Sequence, residues 1–283
     1  MYENLKKKYG QNFLIDNNIL NKINNLISSS NLKILEIGPG DGRLTDNIIK
    51  KNPENLKLIE IDEDLFKNLK NKYLKNKNVD IENENILNYK INNSYDLVIS
   101  NLPYNISSQI LVQLSTLNLR PKRMILMFQK EFASRLLDSN LNSINALINC
   151  FYDVKLRFNV SKNCFRPIPK VNSSILTFER KEEFLLKEIE IDNYIRFKRK
   201  LFSHKRKSLK NLLKDYSIKG DFNLNLRAEK LKLSSLIDIL SGLLIQSKGS
   251  VLIDNNELDL NNIRNWQKNI SYVPQTTFLI NSS

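Results

Sequence analysis

Leu32-Lys-Ile-Leu-Glu-Ile-Gly38-Pro-Gly40-Asp-Gly42 decides the fold of this chain. The apolar run reads as a short buried strand, because parallel strands are covered on both faces and carry near-continuous hydrophobic side chains. It leads straight into a glycine-rich turn. Glycine lets the backbone turn tightly and approach a ligand closely. A helix should follow, with Leu44, Ile48 and Ile49 on one face. The spacing is Gly-x-Gly-x-Gly. A dinucleotide fingerprint wants its third glycine one residue later, where this chain has Arg43, which counts against a nicotinamide enzyme. A second strand, Leu56-Lys-Leu-Ile-Glu60-Ile-Asp62, ends in carboxylates about twenty residues beyond the turn. Glu60 is placed to accept from the ribose hydroxyls of a nucleoside-containing cofactor; the alternative is a solvated strand-end charge.

Working outward, strands are predicted at 32–37, 56–61, 79–83, 95–100 and 122–128, with helices at 17–29, 43–51, 63–74, 106–117 and 130–138. Such alternation implies an α/β fold with a parallel sheet covered on both faces. Residues 150–160 and 171–179 are strand-like with no helix between them, which predicts an antiparallel edge hairpin. From about 183 the pattern becomes helical and basic, a second and smaller domain.

The strand Tyr95-Asp-Leu-Val-Ile-Ser100 ends in Asn101-Leu102-Pro103-Tyr104. This turn suits chemistry on a planar amino group. The Asn101 side-chain oxygen and a backbone carbonyl beside Pro103 can accept from an exocyclic NH2, and the Tyr104 ring can stack on the base that carries it. Proline restricts its own φ and the residue before it, so the carbonyls of the turn are held in place. A plain strand-ending turn is the rival reading, and the upstream glycine turn weighs against it.

Together these segments resemble the adenine-N6,N6 dimethyltransferases of small-subunit ribosomal RNA, over roughly residues 5–235. Lys7-Lys-Tyr-Gly-Gln-Asn12-Phe-Leu14-Ile-Asp resembles the family's N-terminal segment, Glu36-Ile-Gly-Pro-Gly-Asp-Gly42 its methionine-side loop, and Asn101-Leu-Pro-Tyr104 its catalytic motif. Phe165-Arg-Pro-Ile-Pro-Lys-Val-Asn-Ser173 resembles the segment after the core sheet, and Leu201-Phe-Ser-His-Lys-Arg-Lys-Ser-Leu-Lys-Asn-Leu212 a basic helix of the RNA-binding domain. The resemblance implies a Rossmann-like class I methyltransferase with a seven-stranded, mostly parallel sheet and a small helical C-terminal domain. It implies S-adenosylmethionine held by Asn12, Leu14, Gly38, Gly40, Glu60, Asn85 and Asn101, and catalysis at Asn101, Leu102, Pro103 and Tyr104. With Tyr104 stacked on the base, a later aromatic such as Phe165 is a candidate for its second face. One position departs from the family: Asn85 stands where an Asp usually accepts from the cofactor's adenine amino group. An uncharged acceptor is weaker there, unless Glu84 compensates. The expected partner is the small ribosomal subunit and its RNA. The rival readings are a large-subunit RNA methyltransferase and a non-catalytic assembly factor.

Composition agrees. Net charge is +14 over 283 residues, suited to phosphates, although a merely Lys- and Asn-rich composition would give the same figure. Clustering is more informative: Arg196-Phe-Lys-Arg-Lys200 and Lys205-Arg-Lys207 are interleaved with Phe197, Leu201, Phe202 and Leu209 at helical spacing. Arg199, Lys200, Lys205, Arg206 and Lys207 are the candidate RNA-binding residues. Cys150 and Cys164 suggest reduced thiols, not a disulfide framework or a metal site. His204 is the only histidine and reads as a surface or RNA-facing residue. No secretory leader and no membrane-length apolar run are read, so a cytoplasmic, metal-free monomer is expected.

The tail is anomalous. Leu236-Ile-Asp-Ile-Leu-Ser-Gly-Leu-Leu244, Lys248-Gly-Ser-Val-Leu-Ile-Asp254 and Trp266-Gln-Lys-Asn-Ile-Ser-Tyr-Val-Pro-Gln275-Thr-Thr-Phe278 resemble part of an ABC-transporter nucleotide-binding domain. The phosphate loop that should precede them is missing, with Leu233 where its lysine belongs. The division expected is 1–180 methyltransferase domain, 181–242 helical RNA-binding domain and 243–283 a non-functional ATPase-like fragment.

Overall fold

The computed structural model describes residues 11–204, 206–213, 223–243, 252–253 and 256–257. Five parallel strands form the first part of the sheet: β2 (Lys33–Ile37), β3 (Asn55–Glu60), β4 (Val79–Asn83), β5 (Leu97–Asn101) and β6 (Arg123–Gln129). The helices α1 (Asn17–Asn25), α2 (Arg43–Ile49), α3 (Glu63–Lys72), α4 (Ser107–Ser115) and α5 (Lys130–Leu136) alternate with them. Each predicted element is present, with ends shifted by a few residues. The side chain of Asp16 accepts from Ile19 N–H at 3.0 Å and so starts α1. Asp62 does the same for α3 through Asp64 N–H.

The short helix α6 (Asn145–Ile148) precedes a long strand, β7 (Tyr152–Val160), and β9 (Ser173–Arg180) returns antiparallel to it. The sheet order is β4-β3-β2-β5-β6-β9-β7. The later strand of the hairpin lies inside, against β6, and β7 is the edge. Burial explains the choice: β9 is buried over Ser173–Phe178, whereas β7 alternates with exposed polar positions. A second, two-residue pairing joins β1 (Phe13–Leu14) to β8 (Phe165–Arg166).

Two apolar layers sandwich the sheet. One holds Leu20, Ile23, Ile34, Ile48, Leu58 and Ile99 beneath α1 to α3. The other holds Leu35, Val98, Leu126, Phe128 and Phe178. At such fully buried positions a Leu→Ala change costs roughly 2–5 kcal/mol. The helices after the sheet, α7 (Ile191–Ser203), α8 (Leu209–Leu212) and α9 (Leu233–Leu243), bury Tyr194, Phe197, Leu201, Leu209 and Leu236 in that second layer. Tyr194 donates to Ala146 O at 2.9 Å, which seats α7 on α6.

The charge run on α7 is divided by this packing. Lys198 is buried and donates to Ser143 O at 2.6 Å, and burial pulls its ammonium down to about 8. Among the described residues no helix is long and apolar enough to cross a membrane. Within 243–283 the described strands are β10 (Leu252–Ile253) and β11 (Asn256–Glu257), which pair antiparallel; the rest of the stretch expected to be ATPase-like lies, after Leu243, outside the described residues.

Candidate active site

In a doubly wound sheet, ligands sit beyond the carboxyl ends of the strands, where the order reverses. Here that point lies between β2 and β5. The glycine turn leaves β2 and the Asn101 turn leaves β5, so the strand order brings together segments some sixty residues apart. Ser100 Oγ donates to Ile37 O at 2.6 Å and ties the two strand ends.

All three glycines of the turn are in the left-handed region, with φ of 64°, 61° and 81° at Gly38, Gly40 and Gly42. Among the described residues a Cβ added at Gly38 would meet no atom within 4 Å, so this glycine faces open space on the cleft side. One at Gly40 would lie 2.7 Å from the Phe13 ring. The cleft is lined by Asn12, Leu14, Gly38, Gly40, Glu60 and Asn101 through Tyr104, together with Phe13, Ile61 and Leu65.

Two acids lie under the turn. Glu60 Oε2 accepts from Gly40 N–H at 3.0 Å and Oε1 from Asp62 N–H at 2.9 Å. Burial nevertheless raises its pKa, because removal from water penalises the ionised form. Glu36 is buried behind the turn and accepts from Thr45 Oγ1 at 2.7 Å. Burial pushes its carboxyl up to about 8; the Thr45 bond opposes that rise, and the neighbouring Glu60 and Asp46 add to it.

Across the cleft, Asn101 Nδ2 donates to Asn12 O at 2.8 Å. That bond fixes which end of the amide is the donor and leaves the side-chain oxygen as the acceptor end. Pro103 O accepts from Ile106 N–H at 3.2 Å. The Tyr104 hydroxyl lies 2.6 Å from Ser173 Oγ, a fully buried hydroxyl at the start of β9. The N-terminal segment is held by β1–β8 pairing and by Gln11 Nε2 donating to Asp62 at 3.0 Å.

Six of the seven proposed cofactor residues therefore share one cleft. Asn85 is not among the residues that line it: it lies in the loop after β4, where its Oδ1 accepts from Leu87 N–H at 3.0 Å and keeps a second lone pair. Phe165 is fully buried with Leu14 and Ile175 in the layer beneath α1 to α3 and is not among the residues lining the cleft, so the expected second aromatic wall is not there. Its pairing in β8 is what turns the ring inward. Of the basic candidates, Arg199, Arg206 and Lys207 are exposed, Lys200 is half-buried and Lys205 lies outside the described residues. Sequence reasoning missed Phe13, Thr45 and Ser173. Thr45 carries no pattern signal, whereas Phe13 and Ser173 stood inside segments already singled out.

A Rossmann-like sheet with a glycine turn, a strand-end acid and an Asn-Leu-Pro-Tyr turn in one cleft defines a class I methyltransferase. The chain is 38% identical over 220 residues to the ribosomal RNA small subunit methyltransferase A of Mycoplasma mobile, covering 76% of this chain and 85% of that one. It is 37% identical to the same-named protein of Pelagibacter ubique, covering 82% and 94%. A crystal structure of a dimethyladenosine transferase from Plasmodium falciparum matches with a TM-score of 0.70 at 26% identity, over 80% of this chain and 95% of that one. The family model described as ribosomal RNA adenine dimethylase matches residues 2–246, and the chain belongs to that family.

Proposed function

We propose that the protein methylates the N6 amino groups of two adjacent adenines near the 3′ end of small-subunit (16S) ribosomal RNA, giving N6,N6-dimethyladenosine during ribosome maturation. S-adenosylmethionine is the proposed cofactor, and when bound it supplies an electrophilic methyl on a sulfonium. The residues present fit such a group: open space beside Gly38, apolar Ile61 and Leu65, and a strand-end carboxylate with lone pairs to spare. Gly38, Gly40, Glu60, Asn12 and Leu14 would hold it.

The observation that carries the reading is the Asn101 amide, anchored by Asn12 O, with its oxygen bonded by none of the described residues. Asn101 Oδ1 and the Leu102 carbonyl would accept from the adenine amino group and direct the nitrogen lone pair toward the methyl. Tyr104, braced by Ser173, would stack on a base taken out of its helix. Catalysis is then mainly positioning. After one transfer an N–H remains to be held, which permits a second. The shared name of the relatives favours the small subunit over the large one. The rest of the reading is a cytoplasmic monomer divided at about 180 and 242, with an ATPase-like remnant after that.

Incubating the protein with unmodified small subunits and labelled cofactor, then mapping modified bases by mass spectrometry, tests the assignment. Two neighbouring dimethyladenines are expected near the 3′ end. Label on the large-subunit RNA, or none, refutes it.

A further inference from the structure

A second, open groove runs between α5 and the segment that joins β7 to β9. One wall is the start of α5, with Lys130 and Glu131; the other is the strap between β7 and β9, with Lys162, Lys170, Val171 and Asn172. Lysines are common on this surface, so their number alone means little. Their placement is what distinguishes them. Asn172 O accepts from Lys130 N–H at 2.9 Å, and Asn172 Oδ1 accepts from Lys162 N–H at 3.0 Å. One asparagine thus pins the backbones of both walls, and the two lysines spring from a fixed frame. Among the described residues no carboxylate lies within ion-pair distance of Lys130, Lys162 or Lys170, so the ammonium groups are left for an outside anion. Glu131 is the single acid on the walls. Val171, one of the lining residues, is 43% exposed and adds an apolar surface between the lysines.

The neighbour of Asn172 in the chain is Ser173, which holds Tyr104. The cation groove therefore begins one residue, about 3.8 Å along the chain, from the brace of the base-stacking ring. A polynucleotide whose base reaches Tyr104 has phosphates on both sides of that base, and an arm running toward Asn172 would pass these lysines. Converging cations suit phosphates, and exposed aliphatic side chains suit unpaired bases and riboses, a combination expected for single strands.

We propose that this groove binds the sugar–phosphate backbone of the single-stranded RNA flanking the target adenine, placing an RNA contact in the methyltransferase domain itself. The assignment rests on Tyr104 as the base-stacking residue. The test compares wild type, K162A/K170A, K130A and a control pair, K75A/K77A, whose exposed lysines lie after α3 near the opposite edge of the sheet. Affinity for a single-stranded RNA with two adjacent adenines is titrated across salt. The groove variants should bind several-fold more weakly at moderate salt and lose roughly one unit of salt slope for each phosphate contact removed. KM for RNA should rise while kcat and cofactor affinity hold. Salt slopes equal to that of the control pair overturn the groove. Binding is read without turnover, so RNA that is bound through the groove but not methylated counts against the functional assignment instead.

Discussion

Gly40 offers the sharpest quantitative test of the cleft. Replacement by alanine meets two costs. The first is backbone: φ is 61°, and an L-residue in the left-handed region costs about 1–2 kcal/mol. The second is steric: the new Cβ would stand 2.7 and 2.9 Å from two atoms of the Phe13 ring, closer than carbon atoms approach. Phe13 is held in β1 against β8 and cannot simply swing away. Forcing its ring off its rotamer adds about 0.5–1.5 kcal/mol. Gly40→Ala should therefore destabilise the protein by roughly 1.5–3.5 kcal/mol, and the displaced ring should weaken cofactor binding at least tenfold, which is about 1.4 kcal/mol. Gly38→Ala carries the backbone cost alone, since nothing lies within 4 Å. Denaturant unfolding and titration calorimetry would be run on Gly40→Ala with and without Phe13→Ala. Removing the ring should recover about 1 kcal/mol. An identical cost in both backgrounds would refute the steric argument and the packing of the N-terminal strand on the turn.

Four further outcomes are expected. Asn101→Ala should lower kcat roughly a hundredfold or more, as loss of a group aimed at the reacting atoms does, while cofactor affinity stays close to normal; single-turnover assays would decide. Glu36 binds its proton more tightly in the folded state, up to about 8, so stability should fall as pH rises from 4.5 to 8, and Glu36→Gln should flatten that slope in urea midpoints taken across pH. Ser173→Ala and Tyr104→Phe each break the same 2.6 Å bond, so their effects on kcat should fail to add in the double variant; additive losses would mean the hydroxyls act separately. Deleting residues 247–283, beyond the family match that ends at 246, should leave methyl transfer intact, and the full chain should not turn over ATP, measured by phosphate release.

The parallel half of the sheet could be read from the chain because its strands are continuous apolar runs, and Gly38, Gly40 and Glu60 stand where strand and turn chemistry meet. Asn101 through Tyr104 was legible for the same reason. The order of β9 and β7 was not, because an antiparallel hairpin reads the same whichever strand is inside; only burial on both faces of Ser173–Phe178 settles it. The β1–β8 pair is two residues long, too short for any periodicity, yet it is what places Phe13 on Gly40 and turns Phe165 inward. Asn85 follows from position relative to a strand end, and its oxygen also accepts from Leu87 N–H in a local turn that no sequence pattern announces. Lys198 was grouped with its charged neighbours, although helical spacing puts it beside Phe197 and Leu201 on the packed side.

The β1–β8 pairing also sets a schedule for biosynthesis. Leu14 and its partner Phe165 are roughly 150 residues apart in the chain. At about 5–20 residues per second, the first strand waits about 8–30 s after leaving the tunnel before its partner leaves it too. The parallel strands β2 to β6 all lie between these two partners in the chain, so the glycine turn and the Asn101 turn can assemble while β1, which seats Asn12 over them, is still unpaired. A ribosome-bound chain arrested short of residue 165 should already resist proteolysis across its parallel core and still bind cofactor poorly, with affinity appearing as β8 clears the exit.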